Sequence, residues 1–369
     1  MSNKSKSDSL IRCCWFGRAK WGLEVSLATA PRKRIGKTAL QVPVIGFGAA
    51  HLGEFFGPVS EADSQATLNA AWDAGLRYFD TAPWYGRGLS EHRLGGFLRT
   101  KPRSEFIITT KVGRSLHRPR DPANFDRSPW IGGLNFEVTF DYTYDGIMRS
   151  YEQALQRLAL DTVDALFIHD LDFWVHGEKE GFYAAQLADS GFRAMQALKA
   201  SGDIKAIGMG INTNEGFETI ARHYDLDVCL VAMPYTLLDQ QSLHGGMADL
   251  ARKGTSVIIG APFASGILVT GSGGTVQYAY AKASPEIQAR VRAIEAVCAA
   301  HRVALPAAAL QFVLAHPNVV SVIPGATRAS EVTANLAAIH VAIPTGFWSD
   351  LKTQGLIDSA APVPEGPAG

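Results

Sequence analysis

The sequence predicts a single-domain α/β fold, the (β/α)8 barrel, in which eight parallel strands are each followed by a helix. Eight short apolar, β-prone segments recur along most of the 369 residues, and segments with helical periodicity lie between them. The apolar segments are nearly continuous, as is typical of strands buried on both faces of a sheet. A doubly wound sheet is the alternative. The lack of a G-x-G-x-x-G motif after the first strand argues against it.

The elements follow one another in strict alternation. The predicted strands are Val44–Phe47, Arg77–Phe79, Phe106–Thr110, Val163–Ile168, Ile204–Met209, Val228–Ala232, Ser256–Ile259 and Val319–Ile323. The predicted helices are Ser60–Ala74, Tyr144–Leu158, Phe192–Ala200, Glu215–Tyr224, Met247–Lys253, Pro285–His301, Pro306–Ala315 and Ser330–Ile339. Ser60 is a candidate N-cap because Asp63 follows three residues later, and Ser330 is a second candidate N-cap.

Two predicted loops are long, and both are expected above the carboxyl ends of the strands. Arg114–Asp145 follows the third strand and Gly260–Ser284 follows the seventh. Loops of this length at that end of a barrel usually shape a substrate site. Residues 1–33 lack periodicity and are predicted to be a disordered or additional tail. The barrel is expected over 34–355, and the Pro/Gly/Ala-rich residues 356–369 are expected to form a flexible tail.

Composition excludes several classes of function. The 35 basic and 35 acidic residues give a net charge of zero, which argues against a nucleic-acid binder or an electrostatically held membrane protein. No apolar stretch approaches the roughly 20 residues that span a bilayer. The four cysteines show neither metal-ligand spacing nor a disulfide framework, so a cytoplasmic protein without a metal site is expected. The sequence contains no indication of the oligomeric state.

Four residues suited to proton transfer follow consecutive predicted strands: Asp80 and Tyr85, then Lys111, then His169. Carboxyl ends of parallel barrel strands meet at one face, where active sites are built. A free phenol has a pKa near 10, and a lysine cation beside it favours the phenolate. Asp80 would hold Lys111, and His169 would orient a substrate oxygen. Each residue taken alone has an ordinary structural interpretation, but their shared position predicts a catalytic group.

Short motifs in the same order resemble the aldo-keto reductase superfamily, from about Ile35 to Ile339. They are Gly46–Gly48, Asp80–Gly86, Thr109–Gly113, Ile168–Asp170 and Ile323–Gly325. The resemblance implies a barrel that binds a nicotinamide cofactor without a Rossmann domain. It also implies hydride transfer with Tyr85 as the general acid/base, tuned by Asp80 and Lys111, and with His169 orienting the substrate.

A narrower resemblance points to the aldose 1-dehydrogenase branch of that superfamily, which includes pyridoxal 4-dehydrogenase. It rests on Phe140–Gly146, His169–Asp172, Pro234–Asp239 and Phe263–Leu268. This branch implies oxidation of a sugar or pyridoxal hemiacetal to a lactone. Two alternatives stay open: an NADPH-dependent aldehyde or ketone reductase, and a non-catalytic barrel that senses nucleotides.

The resemblance also implies binding residues. The cofactor set is Gly46, Phe47, Gly48, Asp80, Asn212, Pro262, Ser265, Gly266, Gly325, Arg328, Glu331 and Asn335, and the substrate set is Trp84, His169 and Trp174. The chain departs from the common pattern at Asn212, where many members carry Ser-Asn, and at Ala232, where they carry Gln. Glu331 would repel a 2′-phosphate and favours NAD. Arg328 could pair with a phosphate, so NADP stays possible.

Overall fold

The computed structural model describes residues 31–55, 57–274, 277–279 and 281–365. Eight parallel strands follow one another around a barrel, each paired with its neighbour in the chain. They are β1 Phe47–Gly48, β2 Tyr78–Asp80, β3 Ile107–Val112, β4 Ala165–His169, β5 Ala206–Ile211, β6 Val228–Ala232, β7 Ser256–Gly260 and β8 Val319–Ile323. Parallel bridges from Ile45 to Val322 and from Gly48 to Gly325 join β1 to β8 and close the barrel. The predicted fold class is confirmed.

The helices form a ring around these strands. They are α1 Glu61–Asp73, α2 Leu89–Leu98, α3 Tyr144–Leu158, α4 Phe173–His176, α5 Glu180–Gln186, α6 Phe192–Ser201, α7 Asn214–His223, α8 Gly246–Lys253, α9 Ile267–Thr270, α10 Pro285–His301, α11 Leu305–Leu314, α12 Ala329–Ala338 and α13 Thr345–Thr353. The Ser60 side chain caps α1 by accepting the Asp63 amide at 3.0 Å, as predicted. The prediction of Ser330 as the N-cap of α12 was wrong, because Arg328 is the N-cap and Ser330 lies inside the helix.

Helix α2 was missing from the sequence prediction for a physical reason. It begins after Gly88 without a side-chain cap, and it contains Gly95 and Gly96, which are poor helix formers. Gly95 lies against α3, and a Cβ there would meet the Leu158 carbonyl oxygen at 2.3 Å. Tight packing between the two helices therefore requires a residue that weakens the sequence signal for α2.

The two chain ends differ from the predicted boundaries. The strand Arg32–Arg34 pairs antiparallel with Gln41–Pro43, while residues 1–30 of the predicted tail lie outside the described residues. Beyond α13, the side chains of Leu356, Ile357 and Ala361 are buried against the barrel. The packed region therefore extends past 355, and residues 366–369 lie outside the described residues.

Three loop systems cover the carboxyl ends of the strands. The loop after β3 folds into a hairpin of Arg114–His117 with Glu137–Phe140, and the loop after β7 contains α9 and a hairpin of Gln277–Tyr278 with Ala281–Lys282. Both long loops were predicted. The loop after β4 was not, and it contains α4 and α5 before a π-helical turn, Leu187–Gly191, that leads into α6.

The described residues contain neither a single helix that could cross a membrane nor a cluster of metal-binding side chains. No single helix there is long and apolar enough to cross a membrane, although α10 and α11, bent by 99°, pass the length and composition test as a pair. No group of three or more His, Cys, Asp or Glu side chains in the same part of the chain is arranged to hold a metal ion.

Candidate active site

The end of β2 and the end of β3 hold a buried ion pair. Lys111 Nζ lies 2.7 Å from Asp80 Oδ2 and also donates to the Thr81 carbonyl at 2.9 Å. Thr109 Oγ1 donates to the other carboxylate oxygen of Asp80 at 2.7 Å. Burial opposes the charge on Lys111, but the Asp80 carboxylate outweighs it and raises the pKa of Lys111. The pair therefore places a permanent positive charge at the barrel mouth.

Tyr85 lies beside this charge, on the turn that follows β2. Its ring centroid is 4.7 Å from Lys111 Nζ, and it meets the His169 ring edge-on at 5.8 Å between centroids. Burial raises the pKa of Tyr85, and the charge of Lys111 opposes that rise without cancelling it. The predicted lowering by Lys111 is thus present as a contribution, but the net direction is upward. Without a bound ligand, the phenol is protonated at neutral pH.

His169 is the last residue of β4 and is almost fully buried. Burial, helped by the positive charges of Arg114 and Lys111, holds its pKa well below the usual range, so the imidazole is neutral. The Tyr142 hydroxyl donates to the His169 carbonyl at 2.8 Å and lies 3.0 Å from His176 Nε2. The backbone at His169 is therefore fixed by the start of α3. The structure brings all four predicted catalytic residues together.

A second buried ion pair adjoins His169 and was not predicted from the sequence. Arg114 Nη2 donates to Asp170 Oδ2 at 2.9 Å, and His169 Nε2 lies 3.2 Å from the same oxygen. Asn212 Nδ2 donates to Asp170 Oδ1 at 2.9 Å. The signal in the sequence was small: Asp170 directly follows the candidate histidine, and Arg114 stands three residues after the candidate lysine.

One cavity of about 1010 Å³ opens above these residues. Ligand pockets usually measure about 300–1,000 Å³, so this one is at the upper end of the range. Gly210, Ala232 and Gly260, at the carboxyl ends of β5, β6 and β7, form part of its lining, together with Leu230 in the middle of β6. Small side chains at strand ends leave room for a flat ring. The cavity suits a long ligand together with a small one.

Most of the predicted cofactor residues line this cavity. These are Gly48, Asp80, Asn212, Pro262, Ser265, Gly266, Gly325, Glu331 and Asn335. Gly46, Phe47 and Arg328 do not. A Cβ at Gly46 would meet the Tyr78 ring at 2.6 Å, so this glycine serves packing, and Phe47 is buried in the core. Arg328 is exposed at the start of α12.

Glu331 and Asn335 stand on one face of α12. Glu331 Oε2 accepts a hydrogen bond from the Thr327 amide at 2.7 Å and another from Thr327 Oγ1 at 3.2 Å. Asn335 Nδ2 donates to the Gly325 carbonyl at 3.4 Å. These hydrogen bonds connect the loop between β8 and α12 to the helix. The Glu331 carboxylate forms part of the cavity wall.

Aromatic side chains from four loops line the cavity around Tyr85. They are Phe55, Trp84, Phe125, Trp130, Phe140 and Trp174. Trp130 is central, with ring centroids 5.1 Å from Phe55, 5.7 Å from Trp84 and 5.9 Å from Tyr85. The three predicted substrate residues, Trp84, His169 and Trp174, all line the cavity. A ring-shaped substrate would find flat apolar surfaces here.

Comparison with known proteins identifies the family. Residues 44–354 match the sequence profile of the aldo/keto reductase family. This chain belongs to the aldo-keto reductase family. It is therefore an oxidoreductase that acts on a small molecule with a nicotinamide cofactor, as the motifs implied.

Three similar proteins, each at least 32% identical to this chain, are named as dehydrogenases. Pyridoxal 4-dehydrogenase from Microbacterium luteolum is 39% identical over 340 residues, which cover 90% of this chain and 99% of the relative. D-threo-aldose 1-dehydrogenase from Pseudomonas sp is also 39% identical, covering 86% and 95%. L-galactose dehydrogenase from Arabidopsis thaliana is 32% identical, covering 83% and 87%. The narrower resemblance seen in the sequence is confirmed as a similarity.

Solved structures agree with this aldo-keto reductase fold. The holo form of an aldo-keto reductase from Bacillus halodurans superposes with a TM-score of 0.67 at 23% identity, covering 90% of this chain and 98% of that one. Glycerol dehydrogenase from Gluconobacter oxydans gives 0.66 at 20% identity, covering 92% and 98%. At these identities the likeness concerns the fold alone.

Proposed function

We propose that this aldo-keto reductase is an NAD-dependent dehydrogenase that oxidises the ring hemiacetal of a small aldose, or of pyridoxal, to a lactone. The observation that carries the proposal is the position of Tyr85, 4.7 Å from the Lys111 cation and beside His169 in the cavity. A proton acceptor, a charge that favours its anion and a neutral group that can orient an oxygen are all present at one point.

Tyr85 is proposed to take the proton of the hemiacetal hydroxyl. The anion formed on Tyr85 Oη is stabilised by the Lys111 ammonium, which Asp80 holds in place at 2.7 Å. A nicotinamide bound in the cavity would accept the hydride that leaves the carbon bearing this hydroxyl. The two electrons and one hydrogen depart as hydride, the second hydrogen departs as the proton on Tyr85, and the carbon becomes the lactone carbonyl.

Polar groups along the cavity wall support the choice of NAD. Glu331 lines the cavity, whereas Arg328, the residue that would favour a 2′-phosphate, does not. A carboxylate at this place accepts hydrogen bonds from a free ribose diol and repels a phosphate. The glycines at 48, 266 and 325, together with Asn212, Ser265 and Asn335, are the proposed holders of the rest of the cofactor.

The substrate class is supported by two facts. The cavity walls around Tyr85 are aromatic, and such walls stack on a pyridine ring or on the apolar face of a sugar ring. The named substrates of the similar relatives are pyridoxal, an aldose and L-galactose, each an aldehyde that can close to a cyclic hemiacetal. We further propose that this small-molecule substrate is the enzyme's partner and that the enzyme is cytoplasmic.

One observation favours a second function. Tyr85 carries a raised pKa and is protonated at neutral pH, which suits a proton donor in the reduction of an aldehyde or ketone. An NADPH-dependent reductase would use the same four residues in the opposite direction. The choice between the two depends on which nucleotide and which substrate the protein accepts.

The test is absorbance of the reduced nicotinamide on mixing protein with NAD or NADP and L-fucose, L-galactose, D-arabinose or pyridoxal. Growth of absorbance with NAD and one of these substrates is the expected result, with the lactone identified by mass spectrometry. Absence of growth across the panel, combined with consumption of NADPH by simple aldehydes, would overturn the dehydrogenase in favour of the reductase.

A further inference from the structure

Asp170 stands out in the loop that leaves β4, because its backbone is in the left-handed region with φ of 42°. Residues other than glycine seldom adopt this conformation, and those that do are often found at functional sites. The conformation is held from outside, since the Asp170 amide donates to the Gly210 carbonyl on β5 at 3.0 Å. The side chain is buried with 6% exposure and lines the cavity.

Two side chains from different segments donate hydrogen bonds to its carboxylate, and the His169 ring lies beside it. Arg114, just past β3, and Asn212, just past β5, each lie 2.9 Å away on separate oxygens. His169 Nε2 lies 3.2 Å from Oδ2, the oxygen that Arg114 also contacts. All four residues line the cavity, so a substrate beside His169 would also be close to this network.

We propose that Asp170 is a positioning residue for the reaction, which fixes the ring of His169 and keeps its single proton on Nε2. This proposal rests on the proposed function in one respect, namely that His169 is the residue that orients the substrate oxygen. It adds a fifth residue to the four in the proposed mechanism, and Arg114 and Asn212 hold that residue in place.

The assignment follows from counting donors. A neutral imidazole has one N–H and one lone pair, and His169 is neutral because its pKa lies well below the usual range. A carboxylate can only accept, so the nitrogen that faces it carries the proton. Nδ1 is then the lone-pair nitrogen, and it has no hydrogen-bond partner among the described residues. Nε2 lies 3.2 Å from Asp170 Oδ2 in the cavity wall, so its N–H can also point to a substrate oxygen.

Charges from every neighbouring element act on Asp170. Burial raises the pKa of Asp170 to about 6. The charge of Arg114 lowers this pKa, and the charge of Asp172 raises it. The other titratable groups that face it are Lys111 on β3, Tyr85 after β2, Tyr142 before α3, His169 on β4 and His176 on α4. Above about pH 6 the ionised Asp170 carboxylate, 3.2 Å from His169 Nε2, favours the proton on that nitrogen. Below it, the acid form no longer requires the proton to be on Nε2.

The test compares Asp170→Asn with Asp172→Asn in the full chain. Asparagine tolerates left-handed φ, so the first variant keeps the backbone. Its kcat should fall about tenfold to hundredfold, as for partners that orient metal-bound histidines, with KM changed much less. In the wild type, kcat/KM should fall below about pH 6, where Asp170 takes up a proton. In Asp170→Asn this fall should vanish. Asp172 caps α4 and does not line the cavity, so Asp172→Asn should keep the fall of kcat/KM at acid pH. The fall should move to lower pH, because the Asp172 charge raises the pKa of Asp170.

A second measurement needs neither turnover nor a variant at position 170. Nitrogen NMR of histidine-labelled wild-type protein, with the His169 signals assigned by His169→Gln, reports which ring nitrogen carries the proton. We expect the Nε2–H form at pH 8. An Nδ1–H form, or an Asp170→Asn enzyme with wild-type kcat and an unchanged acid limb, would overturn the proposal. If no substrate is found at all, the proposed function fails, while an Nδ1–H form of His169 would still overturn the role proposed for Asp170.

Discussion

Two buried ion pairs stand side by side at the mouth of this barrel. Burial raises the pKa of the carboxyl in both, but the pairs differ in their cations and in the charges around them. Lys111 and Asp80 are joined at 2.7 Å, and Arg114 and Asp170 at 2.9 Å. In the first pair, the Asp80 carboxylate raises the pKa of Lys111, so the ammonium stays charged. In the second pair, the Asp170 carboxyl has a pKa of about 6, about one unit below neutral pH. Similar partners at similar distances thus give a fixed charge in one place and a titrating group in the other.

Their surroundings explain the difference. Each carboxylate accepts a further hydrogen bond, Asp80 from Thr109 and Asp170 from Asn212, but only Asp170 has its ionisation opposed by a nearby carboxylate, that of Asp172. The Lys111 ammonium is a compact charge whose donors reach Asp80 and the Thr81 carbonyl. The Arg114 guanidinium spreads its charge and also lies over two aromatic rings, at 5.2 and 5.3 Å from their centroids.

The largest expected effect comes from breaking the first pair. Asp80→Asn or Lys111→Met alone leaves one buried charge without its partner, which should lower the free energy of unfolding by about 3–5 kcal/mol. Urea unfolding at neutral pH measures this. The double variant Asp80→Asn with Lys111→Met should lose much less than the sum of the two. Additive losses would contradict the description of these residues as a coupled pair.

The next effect concerns Tyr85, which the first pair serves. Tyr85→Phe should lower kcat/KM at least a hundredfold, about 2.7 kcal/mol in the barrier, since it removes only the proton-transferring hydroxyl. Quenching of protein fluorescence by the nucleotide should be unchanged. In the wild type, oxidation should speed up as pH rises, because the raised pKa of Tyr85 leaves the phenolate scarce at neutral pH. Retained turnover in the phenylalanine variant would exclude the proposed mechanism.

A smaller effect separates the second pair from the first. The folded pKa of Asp170 is about 6, above the value near 3.9 of an unfolded chain, so the folded state binds the proton more tightly. Its contribution to stability is full below about pH 4 and is lost as pH rises through about 6. Wild type should therefore lose about 2 kcal/mol relative to Asp170→Asn over that range.

Urea unfolding of both proteins at several pH values tests this. The cost of leaving Arg114 with a weaker partner does not depend on pH, so the change with pH in the stability difference between the two proteins reports only the titration of Asp170. A difference in stability that does not change with pH would show that Asp170 does not carry the raised pKa. Asp172→Asn serves as the matched control, since its neighbour at 170 still titrates.

The barrel and the four candidate catalytic residues were predictable for the same reason. Continuous apolar segments mark buried parallel strands, and a polar residue directly after such a segment must emerge at the carboxyl end, as Asp80, Lys111 and His169 do. Local sequence determines that placement.

The second pair and the loop after β4 were missed because tertiary packing determines them. The contact between Arg114 and Asp170 spans 56 residues and depends on how the hairpin after β3 folds. The left-handed backbone of Asp170 is imposed by β5. Likewise, Phe125 and Phe140 join the aromatic wall from the loop after β3, which lacks periodicity, so their place in the cavity was visible only in the folded chain.

The smallest expected effect concerns Glu331, the carboxylate in the proposed cofactor region. Glu331→Gln should raise the preference for NADP over NAD about fivefold, because two charges a few ångströms apart in water interact by about 1 kcal/mol. Glu331 is exposed, so the effect should shrink as salt is added. Arg328→Gln is the control, since Arg328 lies outside the cavity and should leave the ratio of kcat/KM values unchanged. A fall in NADP use with Arg328→Gln, and none of the expected gain with Glu331→Gln, would mean that the exposed arginine selects the nucleotide.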